Sequence, residues 1–241
     1  MKTGYRERIY EKYASLYIRQ PKLDLADSDR WGLGYDTYLH KWLPADKQAA
    51  ILDVGCGHGY LLRFLTKRGY TKVTGLDISP EQVALARQIH PDVVQANALE
   101  FLEAHKDEFE LIIALDVIEH HTKEEIICFL DVCYRALHSS GRLVLQTNNA
   151  DSLFGSSGRY HDFTHEVSFN PNSLASLMRI CGFTAIEARE VGPVPRGFLS
   201  FVRWLLWKFV RLPLLAYHII ETGSSGDGIL TRNFIMSGVR A

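Results

Sequence analysis

The stretch that decides the fold is Ile51-Leu52-Asp53-Val54-Gly55-Cys56-Gly57-His58-Gly59. Ile51, Leu52 and Val54 give the short apolar run of a buried parallel strand, and the three glycines remove side chains where the chain must turn and approach a ligand closely. Tyr60, Leu61, Leu62, Phe64 and Leu65 then follow a helical spacing. Strand, glycine turn and helix N-terminus together predict a nucleotide-type binding site. The spacing is G-x-G-x-G rather than the dinucleotide G-x-G-x-x-G, because Tyr60 stands where the third glycine belongs. Asp53, two residues before the first glycine, suits a ligand that carries an ammonium group and disfavours a pyrophosphate on the same turn. Lys72 to Leu76 reads as a second strand, and it delivers Asp77 to a place where a carboxylate accepts hydrogen bonds from ribose hydroxyls.

The two segments Asp53 to Gly59 and Gly75-Leu76-Asp77-Ile78-Ser79 resemble the class I S-adenosylmethionine (SAM) dependent methyltransferases, and the resemblance runs from about Ala50 to Arg189 and resumes in the last strand. It implies an α/β fold: a Rossmann-like seven-stranded, mostly parallel sheet with helices on both faces and an antiparallel last strand. It also implies SAM as the cofactor. Asp53, Gly55, Cys56, Gly57 and Gly59 would hold its methionine part, Asp77 and Ile78 its ribose, and Asn97 with Ala98 its adenine. Asn97 departs from the family, which usually has an acid there; an amide oxygen accepts the same bond without charge assistance, and the plain alternative is a turn residue.

The 241 residues, 46% of them apolar, suffice for one large α/β domain with additions. We divide it into an N-terminal helical cap (1–49), a SAM-binding core (50–192), an amphipathic helical insertion (193–228) and a final strand (229–241). A net charge of −1 gives no overall basic field for nucleic acid. Cys56, Cys128, Cys133 and Cys181 show no C-x-x-C spacing, and Met1 to Tyr17 has no apolar signal core, so a reducing, cytoplasmic setting is expected, with the inner face of a membrane as its variant.

Glu7 to Ile18 reads as an amphipathic helix, either packed on the domain or serving as a lid over the cofactor. A loop is expected over Gln20 to Arg30 and a short helix over Tyr35 to Leu43, closed by Pro44. Ser79 and Pro80 open the helix after the second strand, and Asp92 to Gln95 is the third strand. Phe109 to Leu115 is the fourth, and it brings Asp116 to the carboxyl edge, beside the reacting methyl. The run Asp116, Glu119, His120 resembles the acid-x-x-Glu-His segment of ubiquinone-type O-methyltransferases, some of which hold a divalent ion there; a metal is not expected here. Thr122 and Glu125 form a capping box for the next helix, and Arg142 to Gln146 is the fifth strand.

The segment Tyr160-His161-Asp162-Phe163-Thr164-His165-Glu166 is dense in titratable groups. It resembles the segment after the fifth strand in quinone and glycan O-methyltransferases. Methyl transfer is an in-line displacement, so the protein must orient the acceptor and take its proton. Histidine suits that step near neutral pH, so His165 is the expected base, with Asp162 orienting it or the acceptor and His161 and His120 in reserve. The bland alternative is that His165 and Glu166 bond loop backbone.

Asn170 and Pro171 cap a helix ending near Ile180, and Phe183 to Val191 is a sixth strand. Before the last strand, Asn233 to Val239, lies a basic amphipathic helix centred on Phe198 to Arg211, broken by Pro213 and not suited to span a bilayer. It could meet a membrane interface through residues 196–220, pack on the sheet, or form a homodimer face. The resemblance implies methylation of a hydroxyl on a small molecule or glycan, such as a sugar of bacterial surface polysaccharide, with a quinone or phenol as the first alternative. Outside that class stand an NAD-dependent oxidoreductase and a SAM-binding module without catalysis.

Overall fold

The computed structural model describes residues 4–17 and 23–241. In chain order the elements are α1 (Tyr5–Tyr10), α2 (Tyr13–Tyr17), α3 (Leu25–Tyr38), β1 (Ala50–Val54), α4 (Tyr60–Lys67), β2 (Lys72–Asp77), α5 (Pro80–Ala86), β3 (Val93–Gln95), α6 (Ala98–Ala104) and β4 (Phe109–Leu115). A 3₁₀ turn (Ile118–His120) leads to α7 (Lys123–Ala136), β5 (Leu137–Asn148), α8 (Gly155–Tyr160), α9 (Pro171–Ile180), β6 (Phe183–Glu190), α10 (Phe198–Thr222) and β7 (Asn233–Arg240). The strands form one sheet in the order β3-β2-β1-β4-β5-β7-β6. Pairs from β3 to β5 are parallel, and β7 runs antiparallel between β5 and β6. The order reverses between β1 and β4, which opens a crevice at their carboxyl ends, the place where open parallel sheets bind ligands.

The central strands are apolar at nearly every position because both faces are covered. Successive residues alternate between two cores: Leu52, Ile112 and Leu143 pack with Phe129 and Leu130 of α7 on one face, while Ile51, Ile113 and Val144 pack with Leu62 and Leu65 of α4 on the other. Those two layers fix the strand ends on which the site is built.

Several boundaries differ from the sequence expectation. The first helix is two short ones, α1 and α2; Ile18 lies outside the described residues, as does 20–22 of the expected loop. Residues 25–30 of that loop and the first part of the expected second helix, through Tyr38, are one helix, α3, because the Asp24 carboxylate accepts from Asp27 N at 3.0 Å and caps it early. Ser79 occupies the N-cap position of α5, yet its hydroxyl makes no capping bond. The fifth strand starts at Leu137 and passes through Ser140 in left-handed conformation, and the stretch after it contains the unforeseen α8. Pro213 does not break its helix: α10 runs for 25 residues through it, the leucines and alanine on either side being helix formers that offset the lost N–H bond and the crowding of the preceding turn by the ring.

Candidate functional site

Gly55 and Gly57 turn the chain at the end of β1 with φ of 67° and 55°, and a Cβ on Gly55 would lie 2.4 Å from Val117 Cγ2. The turn is cross-tied to β2. Asp77 Oδ2 accepts from Gly57 N at 2.9 Å and its Oδ1 from Ser79 N at 2.8 Å. Burial raises the Asp77 carboxyl above its ordinary range, against the lowering effect of those N–H donors. Cys56 is buried, with its sulfur turned toward Gly75, and Gly59 packs against Ala86 of α5 rather than lining the crevice.

The crevice is a cleft of about 1060 Å³ lined by Gly55, Gly57, Asp77, Ile78, Asn97, Ala98, Asp116 and His120, among others. A side chamber of about 190 Å³ continues it past the glycine turn, walled by Asp53, Gly55, Cys56, Trp31, Tyr35 and Tyr60. Buried polar atoms without a protein partner gather around the turn: Asp53 Oδ2, His58 Nδ1, Ser79 Oγ and Gln82 Oε1. Burial, with Asp77 nearby, pushes the Asp53 carboxyl well above the carboxylate range, so it lacks the cation that would stabilise its charge. The ammonium of a methionine moiety supplies such a cation. These residues therefore fit SAM, with Asp53 toward its amino group and Asp77 toward its ribose. Asn97 lines the cleft, but its side-chain oxygen is spent on capping α6, where it accepts from Leu99 N at 2.9 Å. An adenine amino group would have to share that oxygen with the helix cap.

On the other side of the cleft, α1 and α2 lie across the opening and contribute Tyr5, Arg6, Tyr10 and Tyr13. Arg6 pairs with Glu125 at 2.7 Å and Glu166 at 3.3 Å, while Ser15 Oγ donates to Glu81 Oε1 at 2.7 Å. Beneath this cover, Asp162, Thr164, His165 and His120 come together, but not in the expected pairing. Asp162 does not bond His165; its Oδ1 accepts from Thr164 N at 2.8 Å and Thr164 Oγ1 at 2.7 Å, and its Oδ2 from the Tyr13 hydroxyl at 2.6 Å. His165 instead bonds the Gly158 carbonyl through Nδ1 at 3.0 Å, the bland alternative foreseen for it, and His161 Nδ1 lies 2.8 Å from the same carbonyl.

The residue that Asp162 does orient is His120. Its Nδ1 lies 2.8 Å from Thr164 Oγ1. Since the single hydroxyl proton of Thr164 is given to Asp162, Thr164 must accept from His120, which places the proton on Nδ1 and leaves Nε2 with its lone pair. Desolvation, and His165 with its ring centre 4.6 Å away, lower the His120 pKa to about 4. Burial works against the Asp162 charge, but the Tyr13 and Thr164 donors outweigh it and hold its carboxyl below the ordinary range. Near neutrality the cluster is therefore a neutral imidazole backed by a carboxylate.

Two sets of residues were candidates for a metal. Asp116, Glu119 and His120 do not fit one: Glu119 is buried behind the strand ends, its oxygens taken by Thr147 Oγ1 and Asn148 Nδ2, and the Asp116 oxygens accept from Gln146 Nε2 and Asn233 Nδ2. His120, Asp162 and His165 bring one potential ligand atom each within 4.8 Å of one another. Asp162 would have to release Tyr13 or Thr164 to bind an ion there.

A methyltransferase-domain family model matches residues 51–141. The ubiquinone biosynthesis O-methyltransferase of Pseudomonas entomophila is 30% identical over 161 residues, 58% of this chain and 66% of that protein. That of Xylella fastidiosa is 34% identical over 119 residues, 46% of each. A crystal structure of a SAM-dependent methyltransferase from Archaeoglobus fulgidus has the same fold, with a TM-score of 0.64 at 17% identity over 98% of this chain and 100% of that one. These matches support a class I SAM-dependent methyltransferase, the family match itself covering residues 51–141. The chain spans about a third to two thirds of the length of the curated relatives it matches first. Phosphoethanolamine N-methyltransferase 2 of Haemonchus contortus, solved with SAM, shares the fold at a TM-score of 0.63 and 16% identity, over 96% of this chain and 60% of that one.

Sequence reasoning missed several residues of this methyltransferase site. Trp31 and Tyr35 stack at 3.9 Å on the side chamber, from a helix whose first half read as loop. Tyr35 donates to Gln146 Oε1 at 2.8 Å, and Gln146 Nε2 donates to Asp116 at 2.8 Å. Tyr13 and Thr164 had no local signal beyond a helical stripe and a polar run. The one cue available was the concentration of Tyr5, Tyr10, Tyr13 and Tyr17 in a single amphipathic segment, more aromatic than packing requires.

Proposed function

We propose that the protein transfers the methyl group of SAM to a hydroxyl oxygen of a small molecule or glycan, with a sugar of surface polysaccharide or of its lipid-linked precursor as the favoured acceptor. The carrying observation is that His120, its tautomer set by the Thr164 and Asp162 relay, lines the same cleft as the donor-binding Asp77. Bound SAM supplies a methyl carbon made electrophilic by the adjoining sulfonium. The chain then has to hold the acceptor oxygen in line with it and receive one proton. His120 Nε2 receives that proton as general base, and the carboxylate of Asp162 stabilises the imidazolium through Thr164. An unprotonated, acceptor-facing imidazole is what a hydroxyl needs; an amine would require only deprotonated delivery. Tyr5, Tyr10 and Tyr13 enclose the acceptor side and exclude water. His165 backs His120 and keeps it neutral, while Asp116, tied to Gln146 and Asn233, shapes the floor. Four free cysteines agree with a reducing, cytoplasmic setting.

A second reading, a phenol or quinone acceptor, is supported by the same tyrosine rings, whose faces suit a flat aromatic ring as well as a sugar, and by the names of the relatives. Calorimetric titration with SAM and S-adenosylhomocysteine comes first, followed by transfer of labelled methyl to nucleotide sugars, glycolipids and catechols. Binding of both donor ligands and labelling of a hydroxyl acceptor is the expected result. Binding of NADH but neither SAM nor S-adenosylhomocysteine would return the oxidoreductase reading, and donor binding without turnover on any acceptor would favour a non-catalytic module.

A further inference from the structure

The helix α10 turns its most apolar stripe away from the domain. Over its 25 residues no side chain is buried, although it is among the most apolar segments of the chain. The stripe turned toward the domain is mixed: Ser200, Trp204, Trp207, Arg211 and His218 are half-buried at helical spacing together with Leu214 and Leu215. Arg211 anchors it there, its Nε donating to Glu190 Oε1 at 3.0 Å and its Nη2 to the Gly228 carbonyl at 2.7 Å. The opposite stripe, Phe198, Leu205, Phe209, Leu212 and Ile220, faces outward, with Phe198 and Ile220 81% and 83% exposed. A surface helix of a water-soluble domain turns its most apolar stripe inward. An apolar stripe of this length, roughly 35 Å at 1.5 Å per residue, needs a cover.

The charges say which cover. Arg203 and Lys208 stand on opposite flanks of the apolar stripe, and there is no Asp or Glu from Phe198 to Ile220. Long basic side chains on both borders of an apolar face can reach up to phosphates while the face between them sinks into acyl chains. A second copy of the chain would bring the same positive flanks together with no acid between them to pair. Crossing is not an option, because among the described residues no helix is long and apolar enough to span a membrane.

The position of α10 gives this surface a purpose. The insertion leaves the sheet after β6 and returns into β7 at the carboxyl edge, where Asn233 pairs with Asn148 of β5 and its Nδ2 donates to Asp116 Oδ1 at 3.2 Å. Just before β7, Asn149 Nδ2 holds the carbonyls of Ile229 and Thr231 at 2.9 and 3.0 Å. The arm is therefore rooted beside the cleft. We infer that α10 is an in-plane membrane-docking helix that seats the carboxyl edge of the sheet on an anionic phospholipid surface, through its outward Phe198 to Ile220 stripe and the flanking Arg203 and Lys208. This goes beyond the proposed reaction and stands whether the acceptor is a sugar or a phenol. It brings the cleft within reach of an acceptor whose lipid anchor stays in the bilayer.

The test is flotation of the purified full-length protein with vesicles of phosphatidylcholine alone and of phosphatidylcholine with about one quarter phosphatidylglycerol. The protein is expected to rise with the anionic vesicles, less so with the neutral ones, and to lose part of that binding at high salt. The double variant Leu205→Glu/Phe209→Glu should stay at the bottom of the gradient while binding S-adenosylhomocysteine as the parent does, since neither side chain is buried in the domain. Arg203→Gln/Lys208→Gln should weaken binding to anionic vesicles by about thirtyfold, roughly fivefold per charge, and change little on neutral ones. A parent protein that binds S-adenosylhomocysteine but floats with neither vesicle overturns the inference and leaves the proposed reaction untouched. So does sedimentation as a dimer that the Glu pair dissociates, with no vesicle binding, because then the stripe is covered by a second copy. Vesicle binding without S-adenosylhomocysteine binding would instead remove the reaction and keep the docking helix.

Discussion

The two walls of the cleft are made in different ways. On the donor wall, the glycine turn, Asp53 and Asp77 come from two neighbouring parallel strands 20 residues apart, and backbone N–H groups of Gly57 and Ser79 hold the one acid that matters most. On the acceptor wall, Asp162 is held by Tyr13 from 149 residues away, and His120 by Thr164 from 44 residues away. A wall built from backbone geometry leaves its mark as residue spacing, because glycine and a strand-end acid are the only residues that fit. A wall built from side chains meeting across the fold leaves only a set of polar residues, and which of them pair is decided by packing.

The largest effect expected from breaking the contrast is at His120. His120→Ala should lower kcat by about 10²- to 10⁴-fold with the affinity for S-adenosylhomocysteine nearly unchanged, whereas His165→Ala should cost far less because His120, and not His165, lines the cleft. Single-turnover rates on the first active acceptor measure both, and a larger loss at His165 than at His120 would return the base to His165.

On the donor wall the effect is smaller and falls on binding. Asp77→Ala removes a charged partner of two N–H groups and of the ribose, so the Kd for SAM and S-adenosylhomocysteine should rise by about 10- to 100-fold in calorimetry. An unchanged Kd would mean that the donor lies elsewhere in the cleft. Thr164→Val comes next: it cuts the relay while nearly preserving shape, frees the Nδ1 proton of His120 from its acceptor and should reduce kcat about tenfold without changing donor affinity. Loss of both would mean that Thr164 supports the fold rather than the base.

The seven-stranded α/β sheet with its antiparallel last strand was legible in the sequence, because strand runs and glycine turns act over a few residues, whereas the strand order was not. The reading failed where a distant contact overrode local pattern. Asp24 starts α3 inside a stretch whose polar residues looked like loop, because α3 packs Tyr35 onto Gln146 at the far end of β5. Asn97 carries an amide oxygen suited to adenine, but it also opens α6, whose backbone N–H groups compete for that oxygen. The sequence pairs Asp162 with His165 of the same short segment, while the fold links it through Thr164 to His120, which the end of β4 delivers. In α10 the amphipathic pattern was legible but its orientation was not: periodicity separates two faces and does not say which one looks outward.

The smallest effect, and the one that separates the two histidines most sharply, is in the pH profile. A general base works unprotonated, so the rate falls as pH drops through its pKa. For His120 that value is about 4, below the 6.5 of a free imidazole, because desolvation and the neighbouring His165 both oppose the charge. The rate of the chemical step should accordingly be flat from pH 8 down to about 5 and fall only below that, whereas a base exposed to water would already lose half its activity near 6.5. The same depression has a cost in stability with the opposite limits. Below about 6.5 the unfolded chain takes up a proton that folded His120 refuses, so stability declines as pH falls from there toward 4, by roughly 1–3 kcal/mol for this group, and no further below it. His120→Ala should remove that part of the acid sensitivity while lowering kcat by about 10²- to 10⁴-fold. Measuring denaturant midpoints at pH 7.5 and 5 for the parent and the variant checks it, and equal midpoint shifts in the two proteins would show that His120 is charged when folded and that the relay does not set its tautomer.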